Sequence, residues 1–208
     1  MTTVAVLDYG AGNLRSAQRA LERAGADVVV TDDAAVAATA DALVVPGVGH
    51  FGQCVRQFRS AGFDQLVRRW ADDGGPVLGI CVGMQILYRR SDEDPDEQGL
   101  GLIDGEVRRL PSSVTVPHMG WNTLTPARED PLLDGVVGRH VYFVHSYAAE
   151  PGADAHIVAT CRYGPGFAAV VRSGSVVGTQ FHPEKSGDVG ATLLANWLRE
   201  VDGARAAA

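Results

Sequence analysis

Up to about residue 90 the chain alternates short apolar runs with amphipathic stretches. Val4–Asp8, Asp27–Thr31, Asp41–Pro46 and Pro76–Ile80 read as strands. Leu14–Ala24, Gln53–Ser60, Phe63–Asp73 and Gly83–Arg90 read as helices, with Gly25 ending the first and Gly62 separating the second and third. Strands that alternate with helices must pair in parallel, with helices covering both faces of the sheet. After residue 100 the pattern changes. Gly105–Leu110, Val114–His118, His140–Tyr147, His156–Cys161, Phe167–Val171 and Val176–Gln180 are strand-like and separated by turn residues. A last helix is expected over Val189–Val201, and the small-residue tail, about 202–208, is expected to fray. No linker and no internal repeat interrupts the pattern. The expected architecture is one α/β domain over 1–208, with a central mixed, largely parallel sheet flanked by helices.

Composition agrees with such a domain and excludes several classes of function. A chain of 208 residues buries roughly 70% of its surface on folding, so it needs no staples. Its 25 glycines, about 12% against a usual ~7%, imply many tight turns or close backbone approaches. The formal net charge is −7 and no basic cluster stands out, which argues against nucleic acid as the principal ligand. Three cysteines make no disulfide framework and suit a reducing compartment. No basic leader precedes Val4 and no apolar run approaches ~20 residues, so a cytoplasmic chain without a secretory signal is expected. The stretch 91–98 is acidic and reads as an exposed loop with no assignable role.

Three short strings carry chemistry. Gly79-Ile80-Cys81-Val82-Gly83 follows a strand and opens a helix, which is the G-x-C-x-G form of the nucleophile elbow. A thiol there stands clear of the sheet edge, and nearby free N–H groups stabilise a thiolate or an oxyanion. The bland alternative is a core cysteine among small residues, and that reading is preferred for Cys54 and Cys161, which lack the elbow. His182-Pro183-Glu184 lies just past the strand Val176–Gln180, where an open α/β sheet binds its ligands. A histidine there can serve as base, with Glu184 orienting it. His145 is the chief rival base and His118 a third. Pro46-Gly47-Val48-Gly49 follows the strand ending at Val45, and its glycines let a peptide N–H turn outward as a second oxyanion donor. No Cys or His spacing suggests a metal, and neither a phosphate loop nor a dinucleotide fingerprint is present, so no cofactor is expected.

Together these strings resemble the class I (triad) glutamine amidotransferases. Asp8-Tyr9-Gly10-Ala11-Gly12-Asn13, Pro117-His118-Met119-Gly120-Trp121-Asn122, Tyr142-Phe143-Val144-His145-Ser146-Tyr147 and His182-Pro183-Glu184-Lys185 narrow the likeness to glutaminase subunits of imidazole glycerol phosphate synthase. The likeness spans nearly the whole chain. It implies hydrolysis of glutamine to glutamate and ammonia, with Cys81 as nucleophile, His182 as base and Glu184 as its orienter. It implies oxyanion donors at Val82 and in the Val48–Gly49 turn, and substrate contacts from Gln85, Ser146 and Tyr147. It implies a heterodimer with a (β/α)8 cyclase subunit that receives the ammonia for histidine biosynthesis. Asn13, Met119, Trp121, Asn122, Tyr142 and Lys185 would face that partner. Two residues depart from the family pattern: Val82 stands where Leu is usual, and His50 where a small residue is commoner. The triad by itself also suits a glutaminase serving another synthase, or a free-standing cysteine hydrolase of γ-glutamyl substrates.

Overall fold

The computed structural model describes residues 1–152 and 154–207. The first half runs β1 (Thr3–Leu7), α1 (Leu14–Ala24), β2 (Asp27–Thr31), α2 (Ala34–Ala37), β3 (Ala42–Gly47), α3 (Phe51–Ser60), α4 (Phe63–Asp72), β4 (Val77–Cys81) and α5 (Val82–Gln85). The second half runs β5 (Arg90–Ser91), β6 (Gly105–Arg109), β7 (His118–Pro126), β8 (His140–His145), β9 (Tyr147–Pro151), β10 (Ile157–Cys161), β11 (Phe167–Ser173), β12 (Val176–Thr179) and α6 (Gly187–Ala207). Nine strands form one sheet in the order β2-β1-β3-β4-β12-β11-β10-β7-β8. The pairings from β2 to β12 are parallel, and those from β12 to β8 are antiparallel. The remaining strands, β5-β6-β9, make a small second sheet.

The apolar runs explain where the core sits. β3 and β4 are buried along their whole lengths, as strands covered on both faces must be. β2 is the edge and keeps its side chains partly exposed. α1 ends at Gly25, whose φ of 106° is the left-handed conformation that caps a helix. α6 lays Leu193, Leu194 and Trp197 into the core and packs beside α1. Arg172 on β11 forks onto Asp130 at 2.8 and 2.9 Å and reaches Glu200 at 3.0 Å, so one guanidinium ties the antiparallel sheet to α6. No helix among the described residues is long and apolar enough to cross a membrane.

Four elements depart from the reading of the sequence. The helix expected over Gly83–Arg90 stops at Gln85, because the carbonyls beyond it accept from another segment. Ile86 accepts Leu100 N–H at 2.7 Å, Leu87 accepts Leu102 N–H at 2.8 Å, and Arg89 accepts Gly99 N–H at 3.0 Å. The strand expected at Val114–His118 begins only at His118, since Pro117 has no N–H to give a ladder, and it then runs on to Pro126. The single strand expected over His140–Tyr147 breaks at Ser146 and leaves for the second sheet, where Leu110 N–H donates to Ser146 O at 2.9 Å. The last helix continues through residues 202–207, and Ala208 lies outside the described residues.

Candidate active site

The three chemistry-bearing strings end three adjacent parallel strands. Gly47 at the end of β3 pairs with Cys81 at the end of β4, and Thr179 of β12 pairs with Ile80. All three strands therefore deliver their loops to the same edge, the carboxyl ends, where α/β sheets bind ligands.

Cys81 is the one non-glycine residue with positive φ among the described residues, at 56°. That conformation costs an L-residue of order 1–3 kcal/mol, which the surrounding backbone must impose. The flanking glycines show how. A Cβ on Gly83 would lie 1.9 Å from Val45 O, and one on Gly79 would lie 2.8 Å from Gly83 O. A Cβ on Gly47 would lie 2.3 Å from Gly83 N. β3, β4 and α5 thus meet backbone to backbone, and the elbow closes only with glycine at these positions. The thiol donates to Val144 O at 3.9 Å and accepts from Gln180 Nε2 at 3.8 Å.

His182 is buried, with Nδ1 2.7 Å from Glu184 Oε1. Its Nε2 has no partner within the described chain and remains available to the pocket that Cys81 and His182 both line. His182 N–H donates to Tyr142 O at 3.0 Å, and Ser186 Oγ donates to His182 O at 2.7 Å, so the base is held by its backbone as well. Burial alone would push the imidazole pKa down, but the Cys81 sulfur and the Glu184 carboxylate outweigh it and raise it to about 9.

The cavity over Cys81 is about 260 Å³, small enough to suit an amino acid rather than a drug-sized ligand. Val48, Gly49, Val82, Gln85, Ser146, Tyr147 and Lys185 line it. The structure thus brings the triad, the proposed oxyanion residues and the proposed substrate residues together, and it sets Lys185 at the pocket rather than only on an outer face. Asn13 lies in an adjoining crevice with Glu184 and Val48. Met119 and Trp121 are 64% and 56% exposed, with Trp121 edge-on to Tyr142. Phe143, next to Tyr142 on β8, is fully buried core. The Asn122 amide is engaged internally with Arg162 O at 3.2 Å.

Two histidines leave the list of bases. His145 is bonded through both ring nitrogens, to Tyr147 O at 2.9 Å and to His118 Nδ1 at 3.0 Å, and burial pushes its pKa down to about 3. One charged pocket residue was not found by sequence reasoning, besides the apolar Pro117 and Val144. Glu93, in the acidic loop, lines the cavity and accepts the Phe51 N–H at 2.7 Å. The loop is held to α3 by Arg56, which pairs with Glu97 at 3.0 Å and Asp94 at 3.3 Å. Loop polarity was its only sequence signal, and that does not say which acid turns inward. Cys161 is packed core as expected, whereas Cys54 also bonds through its thiol to Val48 O at 3.4 Å. A larger groove of about 970 Å³ lies between β6, β9 and β10 and contains no triad residue.

The family model for class I glutamine amidotransferases matches residues 5–201. The chain belongs to that family. This amidotransferase is 46% identical over 200 residues to the imidazole glycerol phosphate synthase subunit HisH of Cutibacterium acnes, covering 95% of this chain and 97% of that one. It is 48% identical over 203 residues to HisH of Mycolicibacterium paratuberculosis, covering 96% and 98%. A solved glutamine amidotransferase superposes with a TM-score of 0.76 at 23% identity, covering 96% of this chain and 98% of that one. The solved PurLQS of Thermotoga maritima superposes with 0.74 at 22% identity, covering 97% and 100%. At those identities the superpositions establish the fold.

Proposed function

We propose that this amidotransferase is the glutaminase subunit of an imidazole glycerol phosphate synthase, acting in the cytoplasm through Cys81, His182 and Glu184. The observation that carries the reading is the strained thiol at φ 56° in one small pocket with an imidazole held by a carboxylate at 2.7 Å.

Glutamine enters with its side-chain amide toward Cys81. Both Gln85 N–H groups are already used, by Tyr147 O at 2.9 Å and by Gln180 Oε1 at 3.0 Å. Gln85 therefore offers its carbonyl oxygen, which together with the Glu93 carboxylate suits an α-ammonium group. Lys185 supplies the opposite charge for the α-carboxylate. The Cys81 thiolate adds to the amide carbon, and the oxyanion is met by N–H groups of Val82 and of the Val48–Gly49 turn. His182, protonated and steadied by Glu184, gives its proton to the departing nitrogen, so ammonia leaves and a thioester remains. Neutral His182 then takes a proton from water as that water adds, and the C–S bond breaks to give glutamate and the thiol.

The acceptor of the ammonia lies outside this chain, which has no phosphate loop of its own. We assign it to a (β/α)8 cyclase subunit docked on the face carrying Asn13, Met119, Trp121, Asn122, Tyr142 and Lys185. The relatives named as subunits of that synthase support this assignment. The test is Cys81→Ala in complex with the cyclase. Glutamine-dependent synthesis should disappear while ammonia-dependent synthesis persists, since free ammonia bypasses the thioester. Loss of both would make Cys81 a structural support for the partner and overturn the reading.

A further inference from the structure

His145, in the wall of the glutamine pocket, and His118 beside it are a pair of buried histidines that the triad does not use. His118 Nδ1 and His145 Nε2 are 3.0 Å apart, and His145 Nδ1 is 2.9 Å from Tyr147 O. Asn122 Nδ2 is 3.5 Å from His118 Nε2, and Gln85 Nε2 donates to the same Tyr147 carbonyl.

The polarity of this chain follows from its ends. A carbonyl only accepts, so His145 carries its proton on Nδ1. In a neutral ring its Nε2 is then a lone pair, and His118 must donate from Nδ1. That leaves His118 Nε2 as an acceptor, facing an amide nitrogen. The Asn122 amide is oriented independently, because its Oδ1 accepts Thr123 N–H at 2.8 Å. Every link points the same way, and an added proton on either ring would set N–H against N–H. The surroundings keep both rings neutral. Phe143 and Phe167 pack on both, and Tyr163 stacks on His118 at 4.0 Å. The titratable groups around the pair are His182 and Tyr163, with Cys81, Glu93 and Lys185 on the cavity that His145 also lines; among the described residues no carboxylate bonds to either ring. Burial lowers the pKa of both histidines.

We infer that His118 and His145 form a proton-ordered relay of positioning residues. They hold the Tyr147 carbonyl where it consumes a Gln85 N–H, so that Gln85 presents its oxygen to the substrate. Without the relay the Tyr147 carbonyl loses one of its two donors and the Gln85 amide is free to turn over, presenting NH2 where an ammonium binds. The inference rests on the glutaminase reading of this pocket.

Two measurements test it. In the parent chain with ¹⁵N-labelled histidine, long-range proton–nitrogen correlation at pH 7 should show both rings neutral with the proton on Nδ1. A charged ring, or a proton on Nε2 of either, overturns the relay whatever the activity. The second measurement compares His118→Phe, which suits its aromatic surroundings but has no donor, with His118→Asn, whose amide nitrogen stands near the Nδ1 position. His118→Phe should raise KM for glutamine about tenfold with kcat changed less than threefold, and His118→Asn should return KM to within threefold of the parent. Equal KM in all three chains, or equal impairment in both variants, overturns the inference. A parent chain that hydrolyses no glutamine with its cyclase would instead sink the reading of the pocket, while the ring protonation result would stand by itself.

Discussion

In the proposed reaction Cys81 and His182 act together, and each depends on neighbours that do no chemistry. On the proposed mechanism Glu184 moves no proton: its oxygen, 2.7 Å from His182 Nδ1, would hold the imidazole in one tautomer and stabilise its charged form. Glu184→Gln should therefore lower glutaminase turnover yet leave more residual rate than His182→Ala. The double variant should be no worse than His182→Ala, because the two act as a unit. Additive losses in steady-state kinetics would place Glu184 outside the triad. The raised pKa also has a stability consequence. The folded imidazole holds its proton to about 9, against ~6.5 in the unfolded chain. Stability from this group is thus fully present below pH ~6.5 and is lost as pH rises through about 9. Urea midpoints should fall between pH 7 and 9 in the parent, and by less in Glu184→Gln; identical falls would contradict the raised pKa. The strings that carry Cys81, His182 and Glu184 were legible in the sequence because each is short and local. Glu93 was not, because its role depends on how an irregular loop folds back over α3.

At the scale of elements, the site is three parallel strand ends brought to backbone contact. Gly47→Ala would put a methyl group 2.3 Å from Gly83 N, between two main chains that cannot yield as a side chain would. It should cost about 1–3 kcal/mol of stability, read by urea unfolding. It should also lower glutaminase turnover by about 100-fold, because Val48 and Val82 are separated as oxyanion donors. Parent-like turnover would show that the Val48–Gly49 turn supplies no donor. The acidic loop makes a second expectation. Glu93→Gln should raise KM for glutamine about tenfold with a smaller effect on kcat, and an unchanged KM would remove Glu93 from the substrate site. The strand–helix alternation before residue 80 was legible because apolar period and turn residues agree there. It failed at Ile86–Arg90, where every side chain through Tyr88 is buried and no amphipathic period separates helix from irregular chain. The break at Ser146 was hidden for another reason: apolar alternation continues across it while the chain changes sheets.

Over the whole molecule, β7 leaves two large apolar side chains, Met119 and Trp121, in water. Aromatic anchors of this kind dominate interface energies. Trp121→Ala should weaken cyclase binding by about 2 kcal/mol, roughly 30-fold in Kd, and leave the free chain's glutaminase rate unchanged; calorimetry giving a parent Kd would move the interface elsewhere. In the proposed reaction, however, only one sulfur of three does the chemistry. Cys54 and Cys161 are buried with their thiol pKa values raised to about 11 and about 12 by desolvation, and only Cys81 lines the pocket. Incubating the chain and its cyclase with a glutamine analogue bearing an electrophilic γ-carbonyl, then locating the adduct by peptide mass spectrometry, tests that claim most directly. One adduct on Cys81, blocked by glutamine and slowed by His182→Ala, is the expected result. An adduct on Cys54 or Cys161, or glutamine hydrolysis that continues with Cys81 fully modified, would contradict it.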